Sequence, residues 1–358
     1  MIEYKVNINY REIKPLDNQG YNSRVFLIHD IQLDKEFVLK KISKDSIDPE
    51  AFFREARLVE KCQHKHILPI RYAGEDSDGN NIDIVMPLYK NGSLKNKITN
   101  GNSLTIKESL RYFIHIILGL HFVHSQRMVH FDLKPDNIMI SDADEAVLAD
   151  FGLAQEVDNN GIAQFDKIYG LHYTPEAILT GDRIGVQLGT LMSDIYQLGL
   201  TMYRVVNGFS SLEKQVSNLG GITTNYILES KFPDRKSYGL HVPSKVKTII
   251  NKCLSLNPLD KYKSALDILN DLSSIPNSNH LLWKQSINND NYKQWIWQND
   301  KFKVVLNAKI EDGSRYFVDV KKKNLISNNE QTLRKFCYTG AIKSEFIKAI
   351  KSAIKEYS

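Results

Sequence analysis

The chain has 358 residues, a formal net charge of +5, 42% hydrophobic residues and 10% aromatic residues. This is an ordinary globular composition, and the length allows two or three domains. Three scattered cysteines with no C-x-x-C pair argue against a disulfide framework and a zinc site, and they favour a reducing, cytoplasmic location. The amino terminus lacks a basic segment followed by an apolar one, and the longest apolar run, residues 112–124, is short and contains three histidines. We therefore expect no export signal and no membrane span.

The charge is unevenly distributed along the chain. Residues 281–358 contain 15 Lys and Arg against 8 Asp and Glu, a net charge of +7, whereas residues 1–280 carry a net charge of −2. A basic segment of this kind can bind an acidic partner, such as a nucleic acid or an acidic protein. More commonly, lysine-rich surfaces only keep a protein soluble, so both interpretations stay open.

The first part of the chain has the alternating pattern of β-strands. Residues 10–16, 23–30 and 35–42 alternate apolar and polar side chains between short turn-forming segments, which predicts an antiparallel meander. Helical spacing follows over residues 49–62. The predicted buried face of this helix consists of Phe53, Ala56, Leu58, Val59 and Cys62.

The pattern then changes from strands to helices. Two more strands are predicted at residues 67–73 and 82–88, and from about residue 104 the spacing is mostly helical. Short strand candidates interrupt the helical region only at residues 137–140 and 146–150. A small β-rich lobe is therefore expected to precede a larger helical lobe.

A polar stretch at residues 275–280 is typical of a linker. Beyond it, residues 301–323 contain two alternating runs around Glu311-Asp312-Gly313, which predicts a β-hairpin. Residues 341–358 have helical spacing. The predicted apolar face of this last helix consists of Ile342, Phe346, Ile350, Ala353, Ile354 and Tyr357. Residues 281–358 are therefore predicted to form a small, basic α+β domain.

Several short motifs carry the chemistry. In chain order they are Gly20 in a predicted hairpin turn, Phe37-Val38-Leu39-Lys40, Phe53-Arg54-Glu55-Ala56, His130-Phe131-Asp132-Leu133-Lys134-Pro135-Asp136-Asn137, Asp150-Phe151-Gly152, Thr174-Pro175-Glu176 and Ser193-Asp194. Over about residues 10–275 their order and spacing resemble the eukaryotic-type (Hanks-type) serine/threonine protein kinase family. The resemblance implies a bilobal α+β fold, with an N-lobe at about 1–87 and a C-lobe at about 88–275.

The resemblance also implies ATP and Mg²⁺ as cofactors and a protein hydroxyl as the phosphate acceptor. The implied catalytic residues are Lys40, Glu55, Asp132 and Lys134, and the implied metal ligands are Asn137 and Asp150. The implied nucleotide contacts are Gly20, Val25, Val38, Lys40, Met86, Leu88, Tyr89 and Met139. Asp194 corresponds to the buried aspartate that organises the backbone of the catalytic loop in this family.

Phe131 departs from the family pattern. Many members have arginine before the catalytic aspartate, and that arginine pairs with a phosphorylated residue of the activation loop. Phenylalanine cannot form this pair, and residues 153–173 contain no Ser or Thr. Both features predict an enzyme that needs no Ser/Thr phosphorylation there. Tyr169 could be modified instead, although packing against the substrate shelf is the simpler hypothesis.

Two other features concern the type of residue that accepts the phosphate and the contact that holds Glu176. Lys134 is typical of the serine/threonine branch, but the Gly-Thr pair expected just before Thr174 is absent, because Tyr169 or Leu171 occupies the place. Glu176 meets an arginine in most of the family, whereas this chain offers Lys261, which predicts a looser contact without a bidentate fork.

Two rival hypotheses come from other functional classes. A pseudokinase that binds nucleotide or partners without phosphate transfer would lack a catalytic group, yet all of the groups named above are present. A small-molecule phosphotransferase on a related fold would have a different second lobe, and the motifs at residues 174–176 and 193–194 argue against it.

Overall fold

A computed structural model describes residues 9–16, 23–46, 53–165, 187–221 and 224–357 of the chain. The fold-class prediction is confirmed: a strand-rich N-terminal lobe is followed by a helical lobe and then by a small α+β domain. The limits predicted for these domains stay predictions. No helix among these residues combines the length and the apolar character needed to cross a membrane.

The N-lobe is a five-stranded antiparallel sheet with the strand order β1-β2-β3-β5-β4. Its strands are β1 (Tyr10–Leu16), β2 (Ser23–Asp30), β3 (Lys35–Ser43), β4 (Tyr72–Glu75) and β5 (Asn81–Pro87). The register pairs Val25 with Lys40 and Val38 with Met86. Residues that are paired directly, or two apart on one strand, share a face of the sheet, so all four lie on the same face.

The strand predicted at residues 67–73 is wrong in position, because β4 begins only at Tyr72. Pro69 has no N–H to donate to a ladder, and Ile67 forms only an isolated bridge with Leu148. Helix α1 (Arg54–Lys61) lies within the predicted range, and Leu58, Val59 and Cys62 are buried as its spacing predicted.

Seven helices are described between residues 94 and 273, within a range that has gaps. α2 to α8 are Leu94–Ile98, Ile106–Ser125, Leu191–Asn207, Ser211–Asn218, Thr224–Leu228, Ser244–Cys253 and Ala265–Ser273. Helix α3 begins with a capping box, in which Thr105 Oγ1 accepts from Glu108 N–H and Glu108 Oε2 accepts from Thr105 N–H. Both α3 and α4 are largely buried, so they form the centre of the C-lobe core.

Short strand pairs surround this core. β6 to β11 are Met128–Val129, Ile138–Ile140, Ala146–Leu148, Gln155–Glu156, Ala163–Phe165 and Gln187–Gly189. They pair antiparallel as β6 with β9, β7 with β8, and β10 with β11. A 3₁₀ turn, Pro135–Asn137, leads directly into β7.

The C-terminal domain is a six-stranded antiparallel sheet covered by one helix. Its elements are β12 (Trp283–Asn288), β13 (Tyr292–Gln298), β14 (Phe302–Glu311), β15 (Arg315–Asn324), β16 (Glu330–Thr332), β17 (Tyr338–Gly340) and α9 (Lys343–Glu356). The predicted hairpin is confirmed as β14-β15, and Asp312 and Gly313 in its turn both have positive φ, at 51° and 69°. Strands β16 and β17 both pair with the far side of β15.

Aromatic and aliphatic side chains form a separate core in this domain. Trp295 and Trp297 are 1% and 3% exposed, so they belong to this core. Phe346 and Ile350 of α9 pack on the same cluster, as predicted. Ile342 does not, because it lies at the N-cap of α9 and is 54% exposed.

Candidate active site

Lys40 is held between two carboxylates that come from different elements. Its Nζ atom lies 2.9 Å from both Oε1 and Oε2 of Glu55 in α1, and 2.8 Å from Oδ1 of Asp150. Lys40 projects from β3 on the face shared with Val25. The sheet, α1 and the segment that follows β8 therefore meet at one ammonium group.

Lys40 stabilises the charge of both carboxylates, whereas burial and the neighbouring Asp150 carboxylate raise the pKa of Glu55. Burial disfavours the charged form of Lys40, but the carboxylates of Asp150 and Glu55 outweigh it and raise the pKa of Lys40. Burial likewise works against the charged form of Asp150, yet the Lys40 ammonium and its hydrogen bond lower the pKa of Asp150. Asp150 is thus an anion at neutral pH, the form that binds a metal ion.

Asp132, Lys134 and Asn137 form a second cluster. Asp132 Oδ2 accepts from Lys134 Nζ at 2.8 Å and from Asn137 Nδ2 at 2.6 Å. Asn137 Nδ2 also lies 3.0 Å from the carbonyl oxygen of Asp132. Because these contacts use Oδ2 of Asp132 and the nitrogen of Asn137, Oδ1 of each residue is the atom best placed to meet another group.

The two clusters are neighbours. Ala149 N–H, next to Asp150, donates to the carbonyl of Asn137 at 2.9 Å. The charge of Lys134 contributes to the low pKa of Asp150. The structure therefore brings together the predicted residues Lys40, Glu55, Asp132, Lys134, Asn137 and Asp150.

Helix α4 holds the backbone of the catalytic loop through Asp194. Its fully buried carboxylate accepts from His130 N–H at 2.8 Å and from Phe131 N–H at 2.9 Å. His124 Nε2 lies 2.9 Å from the same carboxylate. These contacts hold the loop in the conformation that presents Asp132.

Two further residues of α4 hold the same loop, and sequence reasoning missed them. Gln197 donates to the carbonyl of Phe131 at 2.7 Å and accepts from Leu133 N–H at 3.0 Å. Thr201 Oγ1 donates to the carbonyl of Leu133 at 2.9 Å. Both lie at helical intervals, three and seven residues after Asp194, so spacing on one helix face was the signal that could have found them.

Phe131 is fully buried and lies in an apolar cluster with Val129 and Ala163, flanked by Leu153, Val157 and Leu191. Its backbone φ is +63°, a conformation that non-glycine residues adopt rarely and that clusters at functional sites. A Cβ added at Gly189 would lie 2.4 Å from Cε1 of Phe131, so the ring packs directly on the β11 backbone. The ring thereby joins the catalytic loop to β10 and β11.

Phe151 packs between the catalytic loop and α1. It is 1% exposed, its ring centroid lies 4.7 Å from that of His130, and it shares a cluster with Leu58 and Val59. Arg54 Nη2 donates to the carbonyl of Ala154 at 3.0 Å, which also ties α1 to this segment. These contacts hold α1 where Glu55 can reach Lys40.

The predicted nucleotide contacts fall into two groups. Val25, Val38 and Met86 share the sheet face of Lys40. Met86, Tyr89 and Met139 pack against one small apolar cluster. Leu88, which precedes Tyr89 in the chain, is half-buried. Gly20 lies outside the described residues, as do Tyr169, Leu171 and Thr174-Pro175-Glu176.

The donor set suits Mg²⁺. Among the described residues no three His, Cys, Asp or Glu side chains are placed to hold a metal ion by themselves. One carboxylate and one amide oxygen, from Asp150 and Asn137, match the way Mg²⁺ is bound, with phosphates and water supplying the other ligands.

Comparison with known proteins agrees with this geometry. A family model described as the protein kinase domain matches residues 17–271. The chain belongs to the protein kinase family. The predicted resemblance to serine/threonine kinases is also confirmed by similarity to named members of that class.

Three relatives illustrate the similarity. The chain is 28% identical over 280 residues to the serine/threonine-protein kinase PrkC of Bacillus subtilis, an alignment that covers 76% of this chain and 41% of the relative. It is 26% identical over 299 residues to PknD of Protochlamydia amoebophila, covering 74% and 30%. It is 27% identical over 250 residues to PknK of Mycobacterium bovis, covering 69% and 22%. The chain thus spans less than half the length of each.

Proposed function

We propose that the chain is an ATP- and Mg²⁺-dependent serine/threonine protein kinase. The observation that carries the proposal is the contact of Lys40 with both Glu55 and Asp150, beside the cluster of Asp132, Lys134 and Asn137. An active kinase needs the lysine–glutamate pair and the metal-binding aspartate in place together. A pseudokinase is not favoured, because no member of this set is missing.

Each residue has a proposed role in phosphoryl transfer. Lys40 would bind the α- and β-phosphates of ATP. Asn137 and Asp150 would hold Mg²⁺, which when bound would supply positive charge against the phosphates. Asp132 accepts the proton of a serine or threonine hydroxyl, whose oxygen forms a bond to the γ-phosphorus as the bond to ADP breaks. Lys134 stabilises the charge on the transferring group.

Loss of the proton acceptor tests this proposal. Asp132→Ala should lower kcat by at least about 100-fold while leaving the affinity for ATP nearly unchanged. Asp142 is an exposed aspartate in the loop between β7 and β8. Asp142→Ala is therefore the matched control, and it should keep full activity. Transfer of labelled phosphate to a general protein substrate measures the rate. Full activity of Asp132→Ala would overturn the role given to Asp132.

We also propose that Ser/Thr phosphorylation of the activation loop, the segment that follows Gly152, is not needed for activity. Val157 and Ala163 of this segment already pack on Phe131, so an apolar contact replaces an ion pair between arginine and phosphate.

We place the protein in the cytoplasm, a proposal supported by its free cysteines. Burial raises the pKa of Cys62 to about 11 and of Cys253 to about 12, as expected of unreactive structural thiols.

A second candidate function concerns an acidic partner of the C-terminal domain. The run Lys321-Lys322-Lys323 is divided between the two faces of β15: Lys322 lies 4.0 Å above the ring of Phe302, and Lys321 pairs with Glu330 at 3.2 Å. The exposed residues Lys348, Lys351 and Lys355 of α9 follow each other at helical intervals and form a basic ridge. This ridge is the surface that best suits a nucleic acid or an acidic protein.

Salt dependence tests the basic ridge. If it binds nucleic acid, affinity for a single-stranded oligonucleotide should fall as salt rises, and replacing the three lysines by glutamine should weaken binding and flatten the salt slope. Replacing Lys107, Lys236 and Lys263, which are exposed in the kinase domain, by glutamine is the control. Absence of binding at low salt would leave acidic proteins as the remaining class.

A further inference from the structure

Two histidines hold the backbone of one residue, Ala146, at the start of β8. His66 Nδ1 lies 3.0 Å from the carbonyl oxygen of Ala146, and Ala146 N–H donates to His115 Nδ1 at 3.2 Å. The two imidazole rings are stacked, with centroids 4.6 Å apart and an angle of 11° between their planes. His66 lies in the loop after α1, and His115 lies in α3. The three residues therefore join three segments of the chain at one point, which we call the histidine junction.

The histidine junction is connected to both carboxylates that hold Lys40. Leu148 N–H donates to the carbonyl of His66 at 2.9 Å, and the chain reaches Asp150 two residues after Leu148. In the other direction, the loop that contains His66 begins at the end of α1, the helix that carries Glu55. The junction thus fixes the two segments from which Asp150 and Glu55 reach Lys40.

Helix α3 packs closely on the loop that contains His66. A Cβ added at Gly119 of α3 would lie 2.6 Å from the carbonyl oxygen of His66. The helix itself is largely buried in the core of the C-lobe. A change in the His115 ring therefore acts on Ala146, because α3 has no room to move towards the loop.

The hydrogen bonds of the junction fix where each ring carries its proton. A carbonyl oxygen only accepts, so His66 has its proton on Nδ1. A backbone N–H only donates, so Nδ1 of His115 is unprotonated and its proton is on Nε2. A second proton on His66 would leave its bond to Ala146 intact. A second proton on His115 would set one N–H against another and break the contact.

The other titratable and charged groups around the two rings come from all three segments. They are His64 and Lys65 in the loop, Arg111 with its partner Asp144, and Glu145 beside Ala146. Burial, and then the neighbouring His66 ring, lower the pKa of His115. Burial also lowers the pKa of His66, although its bond to Ala146 opposes this. Both rings are therefore neutral at pH 7, the state that the junction needs.

We propose that His66 and His115 are positioning residues of the active site, and that protonation of His115 at acid pH releases β8 from the junction. The closed junction excludes a proton that the open one takes up, so opening is favoured as the pH falls below about 6.5. Asp150 and Glu55 would then lose their common support, and phosphate transfer should slow. This last consequence rests on the proposed kinase function, whereas the opening of the junction does not.

Hydrogen exchange of the full chain measures this opening without reference to kinase activity. Mass spectrometry would follow the backbone amides of residues 146–149 at pH 7.5 and pH 5, with each rate divided by the intrinsic exchange rate at that pH. His115 has a lowered pKa in the closed junction and an ordinary one in the open junction, so linkage should increase the open fraction by about tenfold at pH 5. Wild-type protein should lose protection to that extent.

His115→Asn isolates the contribution of this ring. Asparagine Oδ1 can accept from Ala146 N–H in place of Nδ1, and it does not titrate. At pH 5 this variant should retain about tenfold more protection than wild type. His121→Asn replaces an exposed histidine of the same helix, so it is the matched control and should behave as wild type does.

A second measurement needs no variant. In protein labelled with ¹⁵N at histidine, NMR at pH 7.5 should show the proton of His115 on Nε2 and that of His66 on Nδ1. The proposal is overturned if His115 carries its proton on Nδ1. It is also overturned if His115→Asn folds and loses as much protection at pH 5 as wild type does.

Phosphate transfer is measured separately from exchange. The fall of kcat with falling pH should occur at lower pH in His115→Asn than in wild type, and coincident profiles would overturn the positioning role. A protein that shows the expected exchange but transfers no phosphate at any pH would count against the proposed kinase function alone.

Discussion

Phe131 combines a left-handed backbone with complete burial, and each property has a separate cause. The hydrogen bonds of its N–H to Asp194 and of its carbonyl to Gln197 hold the backbone at φ +63°. Its ring is held by apolar neighbours and by the close approach of Gly189. The conformation of the catalytic loop is therefore fixed on both its polar and its apolar side.

The contact between Phe131 and Gly189 predicts non-additive mutations. Gly189→Ala should destabilise the protein by about 1–3 kcal/mol, because its new Cβ would overlap the Phe131 ring. Phe131→Leu should cost about 1–2 kcal/mol through lost apolar area. Leucine lacks the atoms that meet the new Cβ, so the double variant should cost clearly less than the sum. Urea unfolding of all four proteins measures this, and strict additivity would contradict it.

His241 predicts a pH dependence of stability. Its pKa is lowered to about 3 in the folded protein, mainly by burial and also by His280 and Lys247, and is about 6.5 in the unfolded chain. Below pH 6.5 the His241 side chain is protonated in the unfolded state but stays neutral in the folded state. The free energy of unfolding therefore falls as the pH falls. Between pH 6.5 and 5 this should cost about 2 kcal/mol. His241→Gln should lose that part of the slope in urea unfolding, whereas an unchanged slope would contradict the prediction.

Most of the candidate site could be predicted because its residues lie in short motifs. The residues from His130 to Asn137 occupy a single loop, and Asp150 follows thirteen positions after Asn137. The contacts of Gln197, and the cavity that residues 205–210 line together with Gln285, were not predicted. They depend on where distant segments meet, and no spacing along the chain records that Asn207 lies near Gln285.

At the scale of elements, α4 carries two different tasks. Its first half presents Asp194 and Gln197 to the catalytic loop, and its last residue, Asn207, lines a cavity together with Gln285 of β12. Between them, Gly199 allows α7 to approach closely: an added Cβ would lie 2.9 Å from Cys253 Cβ and from Leu254 Cγ. The position of α4 therefore depends on a residue without a side chain.

Gly199→Ala tests this close approach. In an isolated helix the change would stabilise by about 1 kcal/mol, because alanine has the higher helix propensity. Here the overlap with α7 should reverse the sign and destabilise by about 1–3 kcal/mol. Thermal unfolding measures the sign directly. A rise in Tm would show that α4 and α7 can separate without cost.

Strand prediction succeeded for the hairpin β14-β15 and failed for its neighbour β13. The hairpin β14-β15 alternates cleanly and has Asp-Gly in its turn, so its sequence was sufficient. Strand β13 was missed, because Trp295 and Trp297 on the core face are interleaved with Tyr292 and Ile296 on the other face. With apolar residues on both faces, the period of two is hidden.

At the scale of the whole molecule, the assembled active site predicts insensitivity to dephosphorylation. Treatment with a broad-specificity phosphatase should leave the initial rate of phosphate transfer unchanged, since an apolar cluster takes the place of a phosphate contact. The measurement compares treated and mock-treated enzyme, with mass spectrometry to verify removal of phosphate. A large loss of rate would mean that a phosphorylated residue elsewhere supports the active conformation.

The cluster around Phe131 has a final consequence for how this protein responds to temperature and salt. An ion pair is screened by dissolved ions, whereas apolar burial is largely insensitive to moderate ionic strength and weakens on cooling. The contact between the catalytic loop and strands β10 and β11 should therefore persist at high ionic strength but weaken at low temperature. For this chain, temperature should affect the stability of the loop conformation more than salt concentration does.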